Sequence, residues 1–373
     1  MPQPKIKILI SGGGTGGHIF PAIAIADALK KNIPGCDILF VGALGKMEME
    51  KVPQAGYPIE GLWISGFQRS LSLKNLSFPF KVISSMMKAG RIIRKFKPSV
   101  VVGVGGFASG PTLKVAANRH IPVVIQEQNS FPGITNKLLA KHADKICVAY
   151  DGLERWFPAE KIIKTGNPVR ESVIDIKGKK DEAFGYFNLE MGKPVIMIVG
   201  GSQGARSINE SVAENLEMLA NEGLQVIWQT GKLYLESAKT AINARIPEDF
   251  RKYFHIHEFI TRMDLAYASA DLVISRAGAI AISELSAVAM PCILIPLPTA
   301  AENHQAKNAK ALADKDAAIL LEDKNAREQL GNIVLDLVND QNKRNLLASN
   351  IIKFAVPGSA QKIADEIIKL IKV

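Results

Sequence analysis

The chain has 373 residues, 47% of them apolar and 22% charged; at roughly 150 residues per domain this predicts two globular domains and excludes a peptide or a single small module. Lysine and arginine number 46 against 36 aspartates and glutamates, a net charge of +10, which favours anionic partners such as phosphorylated substrates, nucleic acid or an acidic lipid surface. Cys36, Cys147 and Cys292 are scattered with no CxxC pair, so the expectation is a reducing, cytoplasmic setting rather than a disulfide framework or a cysteine zinc site.

In chain order, KIKILI (5–10) is interrupted by Lys7 and opens onto glycines, which predicts a strand rather than a targeting segment. A helical stretch (21–31) and a second strand, DILFVGA (37–43), follow. SVVVGVG (99–105), PVVIQEQ (122–128) and KICVAY (145–150) read as strands buried on both faces, and the alternation with helical segments predicts a parallel sheet. Thr165-Gly166-Asn167-Pro168 carries turn chemistry, placing a domain boundary between 1–166 and 167–353. A second series repeats the plan: PVIMIVGG (194–201), LQVIWQTG (224–231), FHIHEF (254–259), DLVISRAG (271–278), PCILIPLP (291–298) and AAILL (317–321). The fold class expected is α/β, two tandem Rossmann-like domains. The last helix, within 354–373, sets Ile363, Ala364, Ile367, Ile368 and Ile371 on one face, so it must pack against a domain. No window approaches the roughly 18–20 apolar residues of a membrane span.

Gly12-Gly13-Gly14-Thr15-Gly16-Gly17-His18 contains GxGxxG after a strand, the pattern of a dinucleotide site. The acidic residue that would hold the ribose is missing, because the second strand ends Phe40-Val41-Gly42-Ala43. The surviving reading is a loop that lets a ligand approach the backbone at a helix N-terminus; the plainer one is a tight turn. Gly200-Gly201-Ser202-Gln203-Gly204-Ala205-Arg206 repeats the device, with phosphate as its natural guest. In Ser275–Glu284 a third helix start offers N–H groups, and Glu284 either complements the helix dipole or accepts from a ribose diol. His18, on the first loop, is a candidate base. Asp314-Lys315-Asp316 is a literal DxD, read as a surface turn because it follows a helix and precedes a strand. The six histidines show no zinc-ligand spacing, so no metal or other cofactor is expected.

Between Ser65 and Pro98 stand eight basic residues and no acidic one. Interleaved apolar residues suit an anionic lipid surface; the patch expected comprises Leu71, Leu73, Lys74, Leu76, Phe78, Phe80 and Lys81. Too few aromatics are present for a nucleic-acid stacking platform, so no nucleic-acid partner is expected. An ordinary core-facing helix with solvated lysines is the plainer alternative.

Eight segments, GGGTGGHIFPAIAIADAL (12–29), GVGGFASGP (103–111), QEQNSFPGITNKLLAKHADKI (126–146), TGNPVR (165–170), GGSQGAR (200–206), EFITRM (258–263), SRAGAIAISELSAVAMP (275–291) and ENHQAKNA (302–309), together resemble the bacterial peptidoglycan N-acetylglucosaminyltransferases that convert lipid I into lipid II. The resemblance implies a GT-B fold with a cleft between its domains, UDP-N-acetylglucosamine held mainly by the second, the undecaprenyl-linked acceptor approaching the first, and a final helix crossing back to the first. By motif match Arg170 and Ile260 address the uridine, Ser202 the diphosphate, and Ala279, Ile280, Ala281, Ile282, Ser283 and Glu284 the phosphate and ribose. Gln305 meets the sugar hydroxyls, and Thr15, Gly16, Gly17 and Asn129 close on the sugar. His18 is the expected base, with Glu127 its rival or orienter. The resemblance further implies peripheral attachment to the cytoplasmic face of the cell membrane, with cell-wall and division proteins as candidate partners. Three departures touch the acceptor and sugar contacts: Gln126 where relatives carry histidine, Phe107 where tyrosine is common, and His304 where glutamine also occurs. A related glycolipid transferase, a sugar-nucleotide epimerase, a NAD-dependent dehydrogenase and a non-catalytic scaffold are the competing readings.

Overall fold

The computed structural model of the chain describes residues 5–66, 77–300 and 303–371. Two compact units result, Met1–Arg170 with Gly358–Val373, and Glu171–Pro357. The divisions fall after Arg170 and before Gly358, where the sequence reading set them after Gly166 and before Phe354.

In the first unit the order is β1 (Lys7–Ser11), α1 (Gly16–Asn32), β2 (Asp37–Ala43), α2 (Glu48–Gln54), β3 (Ile59–Leu62), α3 (Phe78–Phe96), β4 (Val100–Gly103), α4 (Ser109–Ala117), β5 (Val123–Glu127), α5 (Ile134–Leu139), β6 (Lys145–Val148) and β7 (Ile162–Lys164). The strands pair in the order β3-β2-β1-β4-β5-β6-β7, all parallel. Alternate side chains of the central strands go to opposite layers. Ile8 and Ile10 join the core under α1, while Leu9 joins the one under α3 and α4.

The second unit runs α6 (Glu171–Ile174), α7 (Lys180–Tyr186), β8 (Val195–Val199), α8 (Arg206–Glu214), α9 (Leu216–Asn221), β9 (Gln225–Gln229), α10 (Leu235–Arg245), α11 (Glu248–Arg251), β10 (Phe254–His257), α12 (Met263–Ser269), β11 (Leu272–Ser275), α13 (Ala279–Ala287), β12 (Cys292–Leu294), α14 (His304–Ala313), β13 (Ile319–Leu320), α15 (Ala326–Asn339) and α16 (Gln341–Ile351). Its parallel order is β10-β9-β8-β11-β12-β13. Ile196 and Ile198 face the layer of α8 and α15, and Val195, Met197 and Val199 the layer of α7, α12 and α13.

The chain ends in α17 (Ser359–Ile368), which lies on α1. Ile363, Ala364 and Ile367 are fully buried in the same core as Ile23 and Leu29. In each sheet the strand order reverses once, between β1 and β4 and between β8 and β11. In open parallel sheets ligands bind beyond the strand ends at such switch points, and both glycine loops leave from them.

Candidate functional site

In the first unit, residues Gly12 to Thr15 leave β1, and Thr15 in extended conformation caps α1, so Gly16, Gly17 and His18 occupy its first turn. Thr15 and Gly17 are exposed and Gly16 is buried. The half-buried ring of His18 places Nδ1 3.1 Å from the Gly13 carbonyl oxygen and 3.4 Å from Thr15 Oγ1. A carbonyl only accepts, so Nδ1 carries the proton and Nε2 the lone pair. Burial lowers the pKa of His18 from its ordinary 6.5, against the Gly13 bond and the charge of Glu48, which raise it; at neutral pH the imidazole is neutral and able to take a proton.

Gly13 is glycine for an internal reason. A Cβ there would sit 2.2 Å from Oε1 of Glu48. Glu48, wholly buried at the start of α2, accepts from the Ala43 N–H at 2.9 Å and the Gly14 N–H at 2.8 Å. The carboxylate, not a ligand, fills the space that Gly13 opens; at Gly14 a Cβ would meet nothing. Glu48 escaped the sequence reading, although a glutamate opening a helix beside Gly42, another site where a Cβ would strike it, was a usable signal.

Glu127, buried at the end of β5, has both oxygens engaged. Oε1 accepts from the Asn129 N–H at 3.0 Å and Asn129 Nδ2 at 3.2 Å; Oε2 accepts from the Gly133 N–H at 3.2 Å and Asn136 Nδ2 at 2.8 Å. Burial pushes its pKa up while those four donors pull it down. This geometry makes Glu127 the organiser of the 127–136 loop that carries Asn129. Gln126 is tied to Gln128 and lies 3.5 Å from Asn167. The ring of Phe107 packs on Gly66. Arg170 lies with this unit, its guanidinium 4.4 Å from the Phe20 ring centroid.

In the second unit, Ser202 sits in the turn before α8, half-buried. That turn is closed by the Gly204 N–H on the Gly201 carbonyl at 3.0 Å and held from behind by Gln229, whose Nε2 donates to the same carbonyl at 3.0 Å. Gln229 Oε1 accepts from the N–H of buried Ile260 at 2.8 Å, so that donor serves the fold. α13 starts at Ala279 after Gly278, with Ala279, Ile280, Ile282 and Glu284 buried and Ala281 and Ser283 half-buried. Glu284 lies beyond the first turn, where the dipole has faded, and accepts from Tyr267 Oη at 3.2 Å. Gln305, in the first turn of α14, accepts the Leu297 N–H through Oε1 at 2.9 Å.

A cluster the sequence reading missed joins the two helix starts. Arg276, between β11 and α13, reaches Ser207 Oγ at 2.8 Å with Nη2, while Nη1 contacts Asp323 and the carbonyls of Ile295 and Pro296. Ser207 also donates to Asp323. The start of α8 is thereby tied through the Ser207 hydroxyl to the partly buried Arg276–Asp323 pair that stands just before α13.

Asp314 and Asp316 fall in an exposed turn after α14. Among the described residues no group of three or more His, Cys, Asp or Glu is arranged to hold a metal, the three cysteines are free and buried, and no helix is long and apolar enough to cross a membrane. Leu71, Leu73, Lys74 and Leu76 lie outside the described residues. Phe78, Phe80 and Lys81 open α3; Phe80, Ile83 and Met87 are 70%, 56% and 55% exposed. Beside them, the Lys81 ammonium is 5.7 Å from the ring centroid of exposed Trp63.

Residues 8–148 match the glycosyltransferase family 28 N-terminal domain and residues 195–367 its C-terminal domain. A relative from Flavobacterium psychrophilum is 53% identical over 99% of this chain and 98% of its own length, and one from Cytophaga hutchinsonii 50% identical over 100% and 99%. The chain belongs to glycosyltransferase family 28. Both relatives are named UDP-N-acetylglucosamine--N-acetylmuramyl-(pentapeptide) pyrophosphoryl-undecaprenol N-acetylglucosamine transferase. Among solved structures, Acinetobacter baumannii MurG superposes with a TM-score of 0.71 at 29% identity, covering 98% of this chain and 100% of that one. UDP-GlcNAc 2-epimerase from Neisseria meningitidis has a TM-score of 0.68 at 15% identity, covering 98% of this chain and 100% of that one, a likeness of fold alone. The family 28 chain is thus a hexosyltransferase with two Rossmann-like domains of GT-B type, as its sequence led us to expect.

Proposed function

We propose that the protein transfers N-acetylglucosamine from UDP-N-acetylglucosamine to the 4-hydroxyl of the muramoyl sugar of undecaprenyl-pyrophosphoryl lipid I, giving lipid II with inversion at the anomeric carbon. The observation that carries this reading is the near-complete coverage of relatives about half identical to this chain that bear that transferase name. The neutral His18 imidazole supports it. The acceptor oxygen attacks the anomeric carbon as the bond to UDP breaks; the hydroxyl proton passes to His18 Nε2 and the electron pair leaves with UDP.

In this reading the negative charge on departing UDP is met by N–H groups at the starts of α8, beside Ser202, and α13, at Ala279 to Ala281, with Arg170 on the uridine side. Within the second unit Glu284 is assigned to the ribose and Gln305 to the sugar hydroxyls; within the first, Thr15, Gly16, Gly17 and Asn129 are assigned to the sugar. This mechanism assigns no step to a metal. Exposed Phe80, Ile83 and Met87, with Lys81, Lys88, Arg91, Arg94 and Lys95 on the same helix, support attachment of α3 to the anionic cytoplasmic face of the cell membrane.

The test is transfer of labelled N-acetylglucosamine to a lipid I analogue, with excess chelator beside a metal-containing control. Product in both is expected. Product only with metal overturns the account of the leaving group, and no product in either while the donor still binds overturns the acceptor. Flotation with vesicles containing anionic lipid checks the attachment; a protein that stays at the bottom of the gradient rules it out.

A further inference from the structure

His18 and Glu48 touch opposite ends of a single peptide group. The carbonyl of Gly13 accepts from His18 Nδ1 at 3.1 Å, and the N–H of Gly14, the other half of the same amide, donates to Glu48 Oε2 at 2.8 Å. The carboxylate is wholly buried and anchored on its other oxygen by the Ala43 N–H. We propose that Glu48 is the positioning residue for His18, acting through the Gly13–Gly14 peptide as a carboxylate–amide–imidazole relay. The inference rests on the reading of His18 as the base.

A carboxylate that accepts an amide N–H pushes electron density toward the carbonyl oxygen, and hydrogen bonds in such a chain strengthen one another. The Gly13 oxygen thereby becomes a better acceptor for Nδ1–H. The proton stays on Nδ1, Nε2 keeps its lone pair, and the imidazolium formed when Nε2 takes the acceptor's proton is stabilised by a fixed negative charge one peptide away. Burial by itself weakens the base, and Glu48 works against that loss. Of the charged groups on the elements packed against α1, Lys7 of β1 lies over the Phe96 ring, Glu50 and Lys51 of α2 pair together, Asp365 of α17 accepts from Asn32, Glu366 pairs with Lys369, and Lys362 of α17 is exposed. Among the described residues Glu48 is the charge that acts on the ring.

The test is nitrogen NMR of the full chain carrying labelled histidine, with kinetics in parallel. In the parent protein His18 must hold its proton on Nδ1 at neutral pH; the Nε2–H tautomer overturns the relay outright, whatever the variants do. In Glu48→Gln the side-chain amide cannot accept both N–H groups and carries no charge, so the His18 titration midpoint falls and the Nδ1–H preference weakens. kcat drops at least about tenfold, with little change in the KM for UDP-N-acetylglucosamine. An unchanged midpoint and tautomer in a folded Glu48→Gln sinks the proposal. Glu48→Asp, which keeps the charge on a shorter arm, should fall between the two proteins, and a midpoint at or below that of Glu48→Gln counts against the charge term. If His18→Ala retains turnover while the midpoint moves in Glu48→Gln, the base assignment fails and the relay survives.

Discussion

The two glycine loops share a plan, strand into loop into helix, yet they are propped by opposite chemistry. Behind the first stands a buried carboxylate, Glu48, bonded to the Gly14 and Ala43 N–H groups. Behind the second stand neutral amides: Gln229 bridges the Gly201 carbonyl and the Ile260 N–H, and Asn209 Nδ2 donates to the Thr230 carbonyl at 2.9 Å. The difference fits the charge that our reading assigns to each loop. In our reading the first serves an imidazole that becomes a cation, which a nearby carboxylate favours; the second receives a diphosphate, which the same carboxylate would repel.

The largest effect that separates the loops is expected at His18. In His18→Ala, kcat should fall by about 10²–10⁴, the usual span for a general base, while donor binding, assigned to the second loop, stays near that of the parent. Initial rates over a donor titration decide this, and a loss confined to KM would move His18 from chemistry to binding. Next comes Arg276→Ala, which removes the tie between the starts of α8 and α13 and leaves Asp323 without its guanidinium partner. Breaking a buried pair in this way costs about 3–5 kcal/mol, toward the lower end here because both side chains keep some exposure, 11% and 19%. Thermal unfolding should show the loss and calorimetry a weaker UDP interaction; an unchanged affinity would deny the cluster any part in aligning the helices. A sharper test exchanges the props. Gln229→Glu sets a carboxylate behind the phosphate loop and also removes the amide that donates to the Gly201 carbonyl, so UDP should bind about tenfold more weakly, about 1.4 kcal/mol, and neutral uridine, which feels the lost bond but not the charge, should lose less. Equal losses for UDP and uridine would mean that packing, not charge, distinguishes the loops.

Much of this was legible in the chain, for reasons that vary by residue. Runs such as Ile8 to Ile10 and Val100 to Val102 declare themselves because strands buried on both faces must be continuously apolar. β3 and β7 escaped: both are edge strands, three or four residues long, one containing Gly61 and the other ending in Lys164. The residues of the loops were visible as motifs, since glycines before a helix have few other uses. Their supports were not. Glu48 reaches the first loop from α2 and Gln229 the second from β9, and nothing in the spacing of a buried side chain says which backbone amide it will satisfy. Gly13 shows the consequence: the motif suggested room for a ligand, and the space is occupied by Glu48.

Histidine offers the last and smallest contrast. His255 and His257 alternate along β10, an edge strand of the second sheet, and each has a buried Nε2 with no hydrogen-bond partner among the described residues. The His257 ring meets Phe187 edge-on at 5.6 Å. Burial lowers the pKa of both below the ordinary 6.5, and His257 lowers that of His255 further. A depressed pKa in the folded state means that the unfolded chain binds more protons in the interval beneath 6.5, so stability rises with pH there: it is fully present above the ordinary value and is lost as the solution is acidified. Each histidine contributes a slope of at most about 1.4 kcal/mol per pH unit within its interval. His18, also depressed, acts in the same direction in the first unit. Urea unfolding at pH 7.5 and at successively lower pH should therefore show a decline that is shallower in His255→Gln combined with His257→Phe, with activity at neutral pH close to that of the parent. Because the strand's ladder is made by backbone groups, the double substitution keeps the His257 carbonyl that accepts from Thr230. An equally steep decline in the double variant would locate the acid sensitivity in His18 or in the carboxylates, and would leave the β10 pair as simple packing.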